Sequence, residues 1–381
     1  MDFIERSLEK QLVTDLDKKM VILSGPRQCG KTALAKHLPL SNKVYLNYDV
    51  TSHRRDIISE TWDRSCELLI LDEIHKMRKW KSFLKGVYDG KEDHLKILVT
   101  GSARLDLLKR GGDSLAGRYF QLRLHPFTYK EISTLPMLKE EDLVQRLLER
   151  GGFPEPFLAS SQSMAKRWRN THLDRILRDD VDSIAKVSDI RLLEVLVLLL
   201  SERVGSTISY QNLASDLKIS APTVKRWIEL LESLFIVFIL RPHGSLSSRS
   251  LQKEPKIYFY DTGIVPEHLI SARMENLVAT HLMKYIHFYQ DTLGEKKQLA
   301  FLRDKEKREV DFVIVNEKRE IELLLEVKKS DEKFDSNLHY YTQKSRIKGQ
   351  QIVFEGDRIK DKELMTLYPA KIWLEKSEFS I

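Results

Sequence analysis

Residues 20–35 read MVILSGPRQCGKTALA. The apolar run Val21-Ile22-Leu23 predicts a buried strand, and Ala33-Leu34-Ala35-Lys36 predicts a helix. Between them, Gly25 to Thr32 spell G-x-x-x-x-G-K-T, the spacing of a phosphate-binding loop in the strand-to-helix context that the motif requires. The glycines let backbone N–H groups close around a β-phosphate, and the following helix N-terminus adds positive potential. Lys31 is placed to reach β/γ oxygens and Thr32 to hold Mg²⁺. Gly25, Pro26, Arg27, Gln28, Cys29, Gly30, Lys31, Thr32 and Ala33 thus form a candidate ATP site. The competing reading is a glycine turn with an exposed lysine. At average residue frequencies, chance would produce the octet in about one chain in a hundred of this length.

Downstream, Leu68-Leu69-Ile70-Leu71-Asp72-Glu73 is an apolar strand ending in two carboxylates, the Walker B pattern. Both acids are needed, Asp72 to order Mg²⁺ and Glu73 to polarise the attacking water. A further strand, Lys96 to Thr100, ends in Gly101-Ser102, so Thr100 or Ser102 is the candidate γ-phosphate sensor. Arg118 precedes the alternating run Gln121 to Leu124. Oligomeric ATPases place at that point the residue that reaches a neighbour's γ-phosphate; an intramolecular salt bridge is the alternative.

The 381 residues exceed one ordinary core, so two to four domains are expected. Hydrophobic content of 42% and charged content of 31% describe a soluble globular chain. The net charge of +7 permits an anionic partner without demanding one. Cys29 and Cys66 are the only cysteines, which excludes a disulfide framework and fits the cytoplasm. The charged start MDFIERSLEKQ is no signal peptide, and the longest apolar run, Leu192 to Leu200, is too short to span a membrane. Apolar residues at Ile4, Leu8, Leu12 and Leu16 predict an N-terminal helix.

Together GPRQCGKT, LILDEIHK, VTGSA, SLAGRYFQL and HPFTYKE resemble the bacterial and archaeal AAA-type ATPases that carry a C-terminal domain of unknown function. The resemblance continues through GGFPE (151–155), YFYDTG (258–263), ENLV (275–278) and REVDFVI (308–314). Cys29 departs from it, since the family usually has an aliphatic residue there. The resemblance implies an AAA-type P-loop core with a parallel sheet, and Arg118 motivates a homo-oligomer, a hexamer among the options.

Residues 139–185 read as helical and polar with a break at Gly151 to Pro154, the expected position of a lid over the nucleotide. Five Lys/Arg against one acid between Lys166 and Arg178 suit a solvated helix face. Within residues 186–262, an apolar helix at Arg191 to Arg203 is followed by helices at Ser209 to Leu217 and Ala221 to Leu234. Two β-rich runs then flank a basic loop, Arg241 to Lys253, completing a winged helix-turn-helix. Thr223, Lys225 and Arg226 of its recognition helix, with Arg241 and Arg249 of the loop, are candidate DNA contacts. The segment from Arg203 to Lys256 has eight Lys/Arg and four Asp/Glu, a surplus suited to phosphates. No base-reading pattern is evident, so weak sequence specificity is expected; a protein-binding role is the competing reading.

Residues 263–381 hold a second constellation. Glu275 lies on an amphipathic helix, Asp311 in the strand Val310 to Val315, and Glu326-Val327-Lys328 ends the strand Ile321 to Val327. This is similar to PD-(D/E)XK nucleases, in which Asp311 and Glu326 would hold a second Mg²⁺ or Mn²⁺, Lys328 would orient or deprotonate water, and Glu275 would complete the metal site or steer Lys328. The expected whole is an α/β chain in four parts: an AAA-type ATPase domain (1–138), a helical lid (139–185), a winged helix (186–262) and a nuclease-like domain (263–381). Its expected work is ATP hydrolysis coupled to action on DNA. The alternatives are an ATP-dependent switch with a protein-binding scaffold, or an ATP-gated nuclease.

Overall fold

The computed structural model describes residues 3–101, 115–135, 138, 142–180, 190–244, 254–330 and 333–376. The chain divides into two compact units, Met1–Pro126 and Phe127–Ile381.

In the first unit, β1 (Met20–Ser24), β2 (Lys43–Asn47), β3 (Leu68–Asp72), β4 (Lys96–Thr100) and β5 (Tyr119–Arg123) form one sheet in the order β2-β3-β4-β1-β5. All its pairings are parallel. β1 and β3 are buried along their whole length, as continuous apolar runs in a parallel sheet should be. The register sets Leu23 beside Thr100, and Thr100 beside Asp72. The carboxyl ends of β1, β4 and β3 therefore share one edge of the sheet, where ligands of such sheets bind.

The N-terminal helix starts at Glu9, later than the apolar spacing from Ile4 suggests. The preceding residues have other partners: the Arg6 guanidinium donates to the carbonyls of Cys29, at 2.9 Å, and His125, while Phe3 stacks on His37.

The second unit begins with the helices Tyr129–Ser133, Leu143–Arg150, Pro154–Leu158 and Gln162–Arg175. The expected break falls at Gly151, whose φ is 72°; a Cβ there would lie 1.9 Å from Asp261 Oδ1. Arg169 Nε, on the helix Gln162–Arg175, donates to the other Asp261 oxygen at 2.7 Å, so a buried ion pair ties that helix to YFYDTG where Gly151 packs against it.

Three helices follow, Ile190–Ser201, Tyr210–Leu217 and Ala221–Ser233, the last two capped by the Ser209 and Ser220 hydroxyls. The hairpin β6 (Val237–Pro242) and β7 (Lys256–Phe259) comes next, and then the long helix Ile270–Phe288. The remaining strands are β8 (Gln298–Arg303), β9 (Glu309–Val315), β10 (Ile321–Lys328), β11 (Gly349–Val353), β12 (Lys360–Lys362) and β13 (Met365–Pro369). With the hairpin they form one eight-stranded sheet, ordered β12-β13-β11-β10-β9-β8-β6-β7.

Where sequence suggests lid, winged-helix and nuclease-like segments with separate bounds, these lie together in one compact unit that also takes in residues 127–138. Two features account for this. β6 extends the C-terminal sheet by pairing Arg241 with Ala300 and Pro242 with Phe301. The helix Ile270–Phe288 also grips the segment after Pro126: Lys284 pairs with buried Glu131 at 3.0 Å, and His281 Nε2 accepts the Tyr129 N–H at 3.0 Å. Among the described residues, no helix is long and apolar enough to cross a membrane.

Candidate functional site

The loop after β1 needs its glycines for two reasons. Gly25 has φ 142°, and a Cβ on it would meet the Leu124 carbonyl oxygen at 2.2 Å. Gly30, at φ 103°, caps the helix Lys31–His37, and Gln28 is also left-handed at 60°. Left-handed turns of this kind are what a backbone nest for a phosphate is built from. Lys31 is buried, its ammonium folded back onto the carbonyls of Gly25 at 3.0 Å and Pro26 at 2.6 Å. The Cys29 thiol is buried against the Leu124 carbonyl at 3.5 Å.

Asp72 is the hub of the site. Its Oδ1 accepts from Thr100 Oγ1 at 2.6 Å, and its Oδ2 accepts from Thr32 Oγ1 at 3.0 Å and Tyr45 OH at 2.7 Å. Burial pushes the Tyr45 hydroxyl up to about 12, with Asp72 adding to the rise, so it stays a donor. Asn47 Nδ2 supports Tyr45 OH at 3.1 Å. Tyr45 and Asn47 escape motif reasoning; the signal for them is the polar end of β2, which registers Asn47 beside Asp72.

Mg²⁺ fits this donor set. An octahedral ion with bonds of about 2.1 Å has adjacent ligand oxygens about 3.0 Å apart. Thr32 Oγ1 and Asp72 Oδ2 are 3.0 Å apart.

Glu73 follows in a left-handed conformation, φ 57°, fixed by its N–H bond to the Thr100 carbonyl at 3.0 Å. Burial holds its carboxyl above the usual range, against the opposing pull of Lys76. Lys76 pairs with it at 3.3 Å and with Asp49, and His75 Nε2 stands 3.6 Å away.

Arg118 is engaged by Asp89, its Nε at 2.6 Å and its Nη2 at 3.0 Å from the two carboxylate oxygens, the salt-bridge alternative. Its carbonyl accepts from the N–H of Met20, the first residue of β1. Gly25 lies five residues further along, just past the end of that strand, roughly 17 Å at ~3.3 Å per residue, which is beyond the span of an arginine side chain. Ser102 and Arg249 lie outside the described residues.

In the second unit, the structure does bring Glu275, Asp311, Glu326 and Lys328 near one another, but with a residue that the motif does not contain between them. Lys256, 1% exposed, places Nζ 2.7 Å from Glu309 Oε1, 3.3 Å from Glu275 Oε1 and 3.4 Å from Asp311 Oδ1. Tyr258 OH donates to Glu275, and the Val327 N–H donates to Asp311 Oδ2 at 3.0 Å. Glu326 accepts from the Asp311 N–H at 3.2 Å and from Lys328 Nζ at 2.8 Å, and Lys328 also pairs with Asp335 at 3.1 Å.

Nothing in this arrangement supports the expected second Mg²⁺ or Mn²⁺ site. Among the described residues, no group of three or more His, Cys, Asp or Glu side chains could hold a metal ion. Nitrogen donors already occupy both oxygens of Asp311 and of Glu326. Burial, followed by the Asp311 charge, pushes Glu275 up to about 7 and Glu326 up to about 8. Burial alone would lower the Lys256 ammonium, but the surrounding carboxylates outweigh it and hold it above the ordinary lysine range.

Of the candidate DNA contacts, Lys225 and Arg226 are exposed on the helix Ala221–Ser233. Thr223 is half-buried with its hydroxyl 2.8 Å from Ser220 Oγ, and half-buried Arg241 hydrogen-bonds the Tyr210 side chain.

Residues 17–133 match an AAA domain. Residues 141–275 and 271–373 match two domains of unknown function, DUF8612 and DUF4143. Among curated proteins, an uncharacterized protein of Mycobacterium tuberculosis is 26% identical over 250 residues, 65% of this chain and 55% of that one, so the chain spans about half the length of that relative. An uncharacterized protein of Haemophilus influenzae is 22% identical over 336 residues, covering 78% of this chain and 82% of its own.

Solved structures include the Aeropyrum pernix ORC1 protein in complex with DNA, at TM-score 0.32 and 15% identity, covering 74% of this chain and 95% of that one. A DNA polymerase III gamma subunit-related protein from Thermotoga maritima has TM-score 0.29 and 12% identity, covering 60% and 97%. Likenesses at these scores bear no weight on function. By sequence the chain is thus similar to an AAA domain in its first part and to a domain of unknown function after it.

Proposed function

We propose that the chain is an Mg²⁺-dependent ATPase that works as an oligomer and couples turnover to DNA through its second unit. The observation that carries the first part is the convergence of Thr32, Thr100 and Tyr45 on Asp72 at the mouth of the Lys31 loop. The loop amides would cradle the β-phosphate, while Lys31 exchanges the Gly25 and Pro26 carbonyls for phosphate oxygens. Thr32 and Asp72 would hold Mg²⁺, which when bound offsets charge on the β- and γ-oxygens. Glu73, its proton affinity raised by burial, would orient and deprotonate the attacking water, with Lys76 and His75 fixing its carboxylate. Thr100 links the sensor position to Asp72 directly. Arg118, level with the start of β1, would act at a neighbour's site, the oligomeric part of this reading; its salt bridge to Asp89 is the alternative role.

The DNA part of the reading is supported by the three helices and hairpin of residues 190–259, which follow the element order of a winged helix, with Lys225 and Arg226 exposed. Counterion release makes it testable: affinity for duplex DNA should fall with salt, and Lys225→Ala/Arg226→Ala should lower the log–log slope by about 0.9 for each phosphate that is no longer neutralised. A slope unchanged by the double substitution would remove that face from the interface. The lysine inside the C-terminal carboxylate cluster favours a second reading, an ATP-driven switch whose C-terminal half is a scaffold. ATP hydrolysis indifferent to every form of DNA would select it.

A further inference from the structure

We propose that Lys256 is the resident cation of the C-terminal carboxylate cluster: its ammonium stands where a divalent metal would sit, and the cluster is a permanent joint between the β6–β7 hairpin and the sheet. An ammonium has three N–H donors and no acceptor. Lys256 finds three carboxylates, Glu275, Glu309 and Asp311, on two different elements besides its own, within 2.7 to 3.4 Å. It satisfies its own donors completely and leaves no unpaired buried cation.

Occupancy points the same way: Lys256, Lys328 and the Asp311 and Val327 N–H groups already donate to the oxygens of Asp311 and Glu326, so a divalent ion would have to displace an N–H donor from each oxygen it took. Carboxylates that bind metals converge on one point. Asp311 and Glu326 instead reach across to each other's strand, Asp311 to the Val327 N–H and Glu326 to the Asp311 N–H.

The surroundings are built as a clasp. Lys256 begins β7, and Tyr258 of the same strand donates to Glu275. Asn276, the next residue on the helix, accepts the Phe259 N–H at 2.8 Å and donates to the Phe259 carbonyl at 3.0 Å. Gly205 completes the enclosure: a Cβ there would stand 2.6 Å from Glu275 Oε2. ENLV thus holds the strand KIYF, and Lys256 fastens both to β9.

The test measures Mn²⁺ binding to the nucleotide-free full chain by titration. Wild type and Asp311→Asn should bind equally, because Asp311 holds no metal in the native protein. Lys256→Ala should gain a Mn²⁺ site that is lost again in Lys256→Ala/Asp311→Asn, while Lys256→Arg should gain none. The proposal is overturned if wild type binds one more Mn²⁺ than Asp311→Asn, if it cleaves DNA in Mn²⁺ in an Asp311-dependent way, or if folded Lys256→Ala gains no site. Should Lys256→Ala fail to fold, the comparison of wild type with Asp311→Asn decides alone.

Discussion

Arg118→Ala and Glu73→Gln subunits, each inactive alone, are expected to restore ATP hydrolysis when mixed. The expectation follows from where the two residues lie. Glu73 stands beside the loop at the carboxyl end of the sheet, whereas Arg118 sits level with the start of β1 at the opposite end. If Arg118 completes a neighbour's site, a head-to-tail interface is competent only when the donor subunit has Arg118 and the acceptor has Glu73. In a one-to-one mixture each condition holds half the time, so about one quarter of wild-type activity per site should return, whatever the ring size. Each variant alone should lose on the order of 10³-fold in turnover or more, the scale of an arginine at a phosphoryl-transfer site. The Asp89 partnership is exposed, so Arg118→Ala should leave folding and ATP affinity intact. The assay is steady-state phosphate release after subunits have exchanged, at constant total protein. Full activity in Arg118→Ala, or no recovery in a mixture shown to co-assemble, would refute the reasoning.

Two further outcomes follow from single contacts. Tyr45→Phe removes one hydroxyl donor to a charged carboxylate, a bond of about 1.5 kcal/mol, and should weaken Mg·ATP binding about tenfold in a titration; unaltered affinity would show that Thr32 and Thr100 suffice to orient Asp72. For Glu326, pushed up to about 8 from 4.5, the folded state binds more protons than the unfolded one between those values. Its contribution to stability is therefore full below about pH 4.5 and is lost as pH rises to about 8, by roughly a few kcal/mol. Glu326→Gln should flatten that decline in thermal unfolding, and an identical pH profile would contradict the assignment.

The sequence was most informative where chemistry is local. The phosphate loop, Asp72 and Glu73 are set by spacing within a few residues, and β3 ends at Asp72 as the apolar run implies. Partners contributed by distant strands were not readable. Tyr45 reaches Asp72 because β2 neighbours β3, an order that no local pattern encodes. Lys256 is the clearest case: the sequence separates it from Asp311 by a long helix and a strand, and a lysine opening an apolar strand looks like a solvated edge. The hint lay in the apolar residues after it, Ile257 to Phe259, all buried with it. The ExK pattern carries spacing but not what fills the space between side chains, and it does not include Lys256, which stands beside Asp311. The N-terminal helix was overextended because periodicity does not register Arg6 binding two carbonyls of the loop region.

The most direct measurement of the central claim is steady-state ATP hydrolysis by the purified full chain in Mg²⁺, wild type beside Glu73→Gln, across protein concentration. Turnover by wild type that depends on Mg²⁺ and is abolished in Glu73→Gln, with ATP still bound, is the expected result. Failure of wild type to hydrolyse ATP at any concentration, or equal turnover in Glu73→Gln, would contradict it.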